Sequence, residues 1–283
     1  MVVVAVGSIA GSDLHHFVSQ ESDASLAFLT AALAEGHRDG SCVVIVRTRE
    51  EFVRWLREPV PGLEWLQVED LLGDQDVWAM AAQGSATPTL DVILTDPAKE
   101  FSGLYRLVDV RIVREVRVTM PAIPGFMKAL RLAAALQLRV RLLPGQPSAE
   151  ALAELTDAAH FYLHDPMVET PVEFFHSLLA AFRGMGEGTL WRFLEEDPAV
   201  FSHRDAAGRA LHAPDFVETH LARLLHDGAE CATCRWQTVC AGYFKWPDPT
   251  YDCAGVKQLF ATLEAAAEEI GRDLASQETL STP

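Results

Sequence analysis

The sequence predicts an α/β fold: a partial or complete parallel α/β barrel followed by a small C-terminal cysteine-rich lobe. Three observations predict it. Short β-branched runs alternate with helix-period segments through the first two-thirds of the 283 residues, as parallel βαβ units require. Several of those runs are apolar throughout, as strands covered on both faces are. Four of the five cysteines then fall in one stretch near the C-terminal end. A doubly wound open sheet is the alternative, because periodicity does not fix closure.

The elements follow in order. Residues 2–6, VVVAV, form a first strand, and 22–35 a helix with Leu26, Leu29 and Leu33 on one face. Cys42–Val46 is a second strand. Thr48 caps the next helix with Glu51 placed for a capping box, and Pro59 and Pro61 end it. Leu63–Val68 is a third strand and Asp91–Leu94 a fourth, followed by a helix opening at Pro97. Val116–Thr119 is a fifth, Gly125–Leu136 an apolar helix, Leu138–Leu143 a sixth strand, and Ser148 the cap of another helix. His160–Leu163 reads as a seventh strand and Pro171–Phe182 as a helix. Past GMGEG, Trp191–Glu196 forms a short helix, DAAGRA at 205–210 a turn between Phe201 and Leu211, and Asp215 caps a helix ending near His226. Val256, Leu259, Phe260, Leu263, Ala267 and Ile270 share one face of a closing helix, and the last ten residues read as a frayed tail. The organisation expected is a barrel-like domain over 1–185, a connecting region over 186–228, the cysteine lobe over 229–273 and a tail over 274–283.

The cysteines are Cys231, Cys234, Cys240 and Cys253, spaced C-x2-C-x5-C-x12-C. Three readings compete. Disulfides fit worst, since no signal peptide precedes MVVVAVGS and an oxidising compartment is unsupported; the expected location is cytoplasmic. A structural zinc site with four cysteine ligands is open, although only the first pair forms the short knuckle usual for zinc. A [4Fe–4S] cluster needs three ligands around one face of a cube and a fourth from further away, which this spacing supplies. Trp236, Tyr243, Phe244 and Trp246 would form its apolar shell, and Gly242 would let the backbone approach.

This stretch resembles the C-terminal SPASM module of radical S-adenosylmethionine enzymes, many of which modify peptides. That module carries C-x2-C-x5-C-x3-C and a last cysteine. Cys231, Cys234 and Cys240 match its first three and Cys253 its last, and in the family those four hold the second auxiliary [4Fe–4S] cluster. Phe244 stands where the cysteine serving the first auxiliary cluster would be, and no cysteine lies between Cys42 and Cys231. The resemblance therefore implies one auxiliary cluster, carried on a partial barrel. The family's C-x3-C-x2-C loop, which holds the cluster that cleaves the cofactor, has no counterpart: Cys42, inside a predicted strand, is the only cysteine outside the C-terminal group.

The formal net charge of −17 repels phosphate backbones and argues against nucleic-acid binding. No apolar run approaches the roughly 18 residues of a membrane span. Acidity favours a basic partner or peptide, or serves solubility alone. In parallel α/β folds ligands meet the C-terminal ends of strands, which makes Gly7, Ser8, Arg47, Asp96, Met120, Pro121, Gly145, His164 and Asp165 candidates; Arg47, Asp96 and His164 are the cofactor-binding choices, and Arg47 suits a carboxylate. GSIAGS at 7–12 lacks P-loop and dinucleotide spacing. His203-Arg204-Asp205 has no accompanying kinase motifs, and the common hydrolase signatures are missing from the sequence. His15 and His16 cannot share a helix face, and His160 and His164 would do so only in a helix. The functions expected are an accessory, substrate-binding or electron-relay subunit, paired with a peptide substrate or a catalytic radical enzyme in a hetero-oligomer, or else a stand-alone iron–sulfur enzyme or a protein with a structural zinc site. Whether the chain is itself an enzyme stays open.

Overall fold

The computed structural model describes residues 2–3, 42–58, 63–83, 86–186, 188–200 and 213–280. The helix expected over 22–35, the segment 7–12 with Gly7 and Ser8, His15, His16, His203 and the turn at 205–210 lie outside them.

Seven parallel strands form one sheet: β1 (Val2–Val3), β2 (Cys42–Val46), β3 (Leu63–Val68), β4 (Thr89–Ile93), β5 (Val116–Pro121), β6 (Arg139–Leu143) and β7 (Val172–Glu173). Their order in the sheet follows their order in the chain, with β1 and β7 outermost. No reversal occurs among these strands, so the switch point of a doubly wound sheet is not formed by them.

The helices that connect and cover the strands are α1 (Arg49–Arg57), α2 (Gln75–Ala81), α3 (Pro97–Glu100), α4 (Val110–Val113), α5 (Met127–Ala135), α6 (Ala149–His164) and α7 (Phe175–Phe182). Their ends are set locally. The Glu51 N–H donates to Thr48 Oγ1, and the Thr48 N–H donates to Glu51 Oε2, closing the expected capping box. Ser148 caps α6 through the Ala151 N–H. The unanticipated α2 starts where Asp74 accepts from the N–H groups of Asp76 and Val77.

Two expectations about the sheet are corrected here. Residues 160–163 are not a strand; they finish α6, whose buried Ala151, Leu155, Ala158, Ala159 and Phe161 keep a helical face to its last turn. The seventh strand begins instead at Val172, inside the segment expected as helix, and α7 follows it. Further on come α8 (Leu190–Phe193), α9 (Phe216–His226), α10 (Gln237–Cys240) and α11 (Ala254–Leu280). The last of these carries helix through 274–280, where a frayed tail was expected.

Alternation along the strands gives the sheet two different faces. Leu90, Val92, Val116, Val118, Met120, Val140, Leu142 and Val172 belong to the main apolar core with Ala129, Leu130 and Ala133 of α5 and Leu155 of α6. The opposite face carries Gln67, Asp91, Arg117, Thr119 and Arg141, all buried. The cysteine segment has no separate core. Ala241, Tyr243, Phe244, Cys253, Val256, Phe260 and Leu263 continue the same apolar cluster. It is also tied to the chain just past β6: Gln146 Nε2 donates to the carbonyls of Phe244 and Asp248, and the Tyr251 hydroxyl donates to that of Pro147. No helix among the described residues is long and apolar enough to cross a membrane.

Candidate functional site

Cys231, Cys234, Cys240 and Cys253 are free thiols in this structure. All four line one cavity, with Trp236, Phe244, Val256 and Phe260 as apolar wall and Glu230, Lys245 and Lys257 as charged wall; its volume is about 30 Å³. Four short pieces of chain put them there. Cys231 lies in a 3-10 turn (Glu230–Thr233), Cys240 ends α10, and Cys253 immediately precedes α11. Cys234 follows the first turn, its N–H donating to the Cys231 carbonyl.

Between Cys240 and Phe244 the backbone turns back on itself. Ala241 and Gly242 are both left-handed, with φ of 47° and 74°. Successive amides in such a turn form a concavity that receives anions, iron–sulfur sulfurs among them. Here the N–H groups of Phe244 and Tyr243 favour the Cys240 thiolate, against burial that pushes the thiol up to about 11. Glycine suits 242 because the φ of 74° strains any side chain, and a Cβ there would also stand 2.7 Å from Leu224 Cδ1, which would have to shift. His220 holds the turn from behind, its Nε2–H donating to the Gly242 carbonyl at 3.2 Å.

A charged brace spans the other side. Glu230 pairs with Lys245 at 2.7 Å and with Lys257, and accepts the Cys253 N–H. These lysines hold the Glu230 carboxyl down at about 2. Lys245 is buried and also donates to the Tyr251 carbonyl. Burial raises the Cys231 thiol and pushes that of Cys253 up to about 12, with Lys245 pulling both the other way. A cationic metal centre would replace those protons, as thiolate ligation demands.

The wall differs from the expected shell. Trp236 and Phe244 line the cavity and Phe260, unforeseen, joins them. Tyr243 and Trp246 belong instead to a neighbouring aromatic group: Tyr243 packs on Trp191 and Trp246 on Phe216 and His220. Trp236 Nε1–H is buried and without an acceptor. The remaining candidates lie apart from this cavity. Arg47, just past β2, pairs with Glu69 at 2.8 Å. Asp96 caps α3 and pairs with Lys99. His164, at the end of α6, packs on His160 with ring centroids 4.5 Å apart; the two share a face because this segment is helical. Glu230, Lys245 and Lys257 were missed. Their signal was present for Glu230, which adjoins Cys231, while the lysines reach the site only through the fold.

Among the described residues, no three His, Cys, Asp or Glu side chains are gathered closely enough to hold a single metal ion. Comparison with protein-family models, curated proteins and solved structures returns no match.

Proposed function

We propose that this chain is a radical-S-adenosylmethionine-like protein, built on a partial barrel, that lacks the cofactor-cleaving cluster and holds one auxiliary [4Fe–4S] cluster on Cys231, Cys234, Cys240 and Cys253. It acts as an accessory, substrate-binding or electron-relay subunit in the modification of peptides or natural products. The convergence of the four thiols on one cavity carries the reading. Several features support it: the left-handed turn aims amides at Cys240, aromatic rings limit water, and an orphaned indole N–H awaits an acceptor. Lys245 and Lys257 offset negative charge that four thiolates would bring. The sequential strand order supports a partial barrel, since connections of one hand keep their helices on one face of such a sheet. When bound, such a cluster supplies one-electron transfer.

Zinc is the second reading. A tetrahedral Zn²⁺ with bonds of about 2.3 Å draws its four sulfurs to within roughly 3.8 Å of one another. The same four thiols lining one cavity would serve either centre, and the spacing, with one short knuckle where zinc sites usually have two, favours the cluster. Anaerobically reconstituted protein should contain about four irons and four labile sulfides per chain, as that cluster requires, and Cys42→Ala should leave both unchanged. Stoichiometric zinc without sulfide would overturn the assignment.

A further inference from the structure

The polar face of the sheet carries a charge cluster that the cysteine site does not use. Asp91, on β4, accepts from Gln67 Nε2 at 3.0 Å, Arg117 at 2.7 Å, Thr119 Oγ1 at 2.6 Å and Arg141 at 3.2 Å. Three of these donors converge on Oδ2 and one on Oδ1, against about four acceptor positions on a carboxylate. Asp91 also brings one negative charge against two guanidinium groups.

The second charge comes from outside the sheet. Glu195 lies just past α8 and places one oxygen 3.1 Å from Arg117 and the other against Arg141. It differs from its partners in two ways. Its side chain is 22% exposed, whereas those of Arg117, Arg141 and Asp91 are 8%, 7% and 0% exposed. Its backbone is left-handed at φ 61°, a conformation that costs a residue with a side chain. Arg117 meanwhile keeps a buried Nε–H without an acceptor, although its guanidinium is fixed over the Trp65 ring at 4.1 Å. Two preorganised guanidinium groups, one donor unused and a strained, partly exposed carboxylate between them make a carboxylate receptor filled from within.

We propose that Arg117 and Arg141 form a binding fork for the carboxylate of an amino acid or peptide, and that Glu195 is its built-in, displaceable occupant. An entering carboxylate exchanges with Glu195 charge for charge and releases the left-handed backbone. The tethered Glu195 competes at a millimolar effective concentration, so external carboxylates bind the native chain weakly and gain strongly when Glu195 is removed.

The test uses N-acetylglycine and its uncharged analogue N-acetylglycinamide, titrated calorimetrically at ionic strength fixed with potassium chloride. Glu195→Ala should bind N-acetylglycine at least about tenfold more tightly than the native chain does, should ignore the amide, and should gain thermal stability in a saturable way with the acid alone. Glu195→Gln, which keeps the shape and an acceptor oxygen, should fall between. Equal responses to acid and amide, or an affinity for the acid unchanged by both substitutions, would overturn the fork. So would variants that emerge unfolded and are not restored by refolding in N-acetylglycine. None of these outcomes depends on metal content.

Discussion

Asp91 shows how much one side chain can carry. Burial by itself would raise its carboxyl, but Arg117 and Arg141, with the Thr119 hydroxyl, outweigh that and hold it at about 2. An unfolded aspartate titrates at about 3.9. A depressed folded pKa contributes stability that is present above the unfolded value and lost as pH falls through the folded one. Urea unfolding of the native chain should therefore lose about 2–3 kcal/mol between pH 5 and pH 2 through this group, and Asp91→Asn should flatten that part of the profile. The same variant should be less stable at pH 7 by about 3 kcal/mol or more, because it leaves buried guanidinium charge uncompensated. Trp236 poses the complementary case of a donor without an acceptor. If its indole N–H meets a cluster sulfur, Trp236→Phe should keep the iron content and lower the reduction potential by on the order of tens of millivolts, since hydrogen bonds to the sulfurs raise it. Protein-film voltammetry reads this directly, and an unchanged potential would assign the N–H no part in tuning.

At the scale of elements, the left-handed turn after α10 is the piece on which the site depends. Gly242→Ala would drive a Cβ to 2.7 Å from Leu224 Cδ1 and 3.5 Å from the His220 ring, in a backbone region that costs an alanine about 1–2 kcal/mol. The variant should melt at a lower temperature and lose reconstituted iron faster to a chelator; a conservative change at the exposed Thr238 should do neither. The turn was only partly legible. Gly242 marked a special backbone position, but nothing in the sequence announced that Ala241 would join it in the left-handed region. Legibility elsewhere followed the strength of local signals. Thr48 with Glu51, Pro97 and Ser148 each fix a helix start by chemistry confined to a few residues, and each is found as expected. The strand assigned to His160–Leu163 failed because Phe161, Tyr162 and Leu163 suit either structure. What decides is the buried helical face that Phe161 continues from Ala151, Leu155 and Ala158 in the preceding turns. Arg117, Thr119 and Arg141 did carry a period-2 signal on strands that were correctly placed. Charged residues alternating on adjacent buried strands mark a polar inner face, and only the pairing of β4, β5 and β6 shows that they meet.

At the scale of the whole molecule, the meeting of the four cysteines at one cavity was legible in their spacing, whereas their brace was not. Glu230, Lys245 and Lys257 come together only when the segment after α9 folds against α11. The resulting site sits in continuity with the sheet's core rather than in a detached lobe, so its loading should be felt through the body of the protein. The chain as a whole carries a net charge of −17, and this bears on association rather than on fold. On the accessory reading proposed above, the chain meets its partner by diffusion, and an acidic surface accelerates encounter with a basic partner over a Debye length of about 8 Å at physiological salt. Co-expression with neighbouring genes of the native host should therefore yield a complex whose association rate falls several-fold between about 50 mM and 500 mM salt, while its dissociation rate changes little. Stopped-flow or surface-binding kinetics separates the two. The reduced, reconstituted chain alone should form no 5′-deoxyadenosine from S-adenosylmethionine above a cluster-free control, and the complex should supply that activity through the partner. Cofactor cleavage by the isolated chain, or turnover of a small molecule by a monomer unaided, would replace the accessory reading with that of an enzyme.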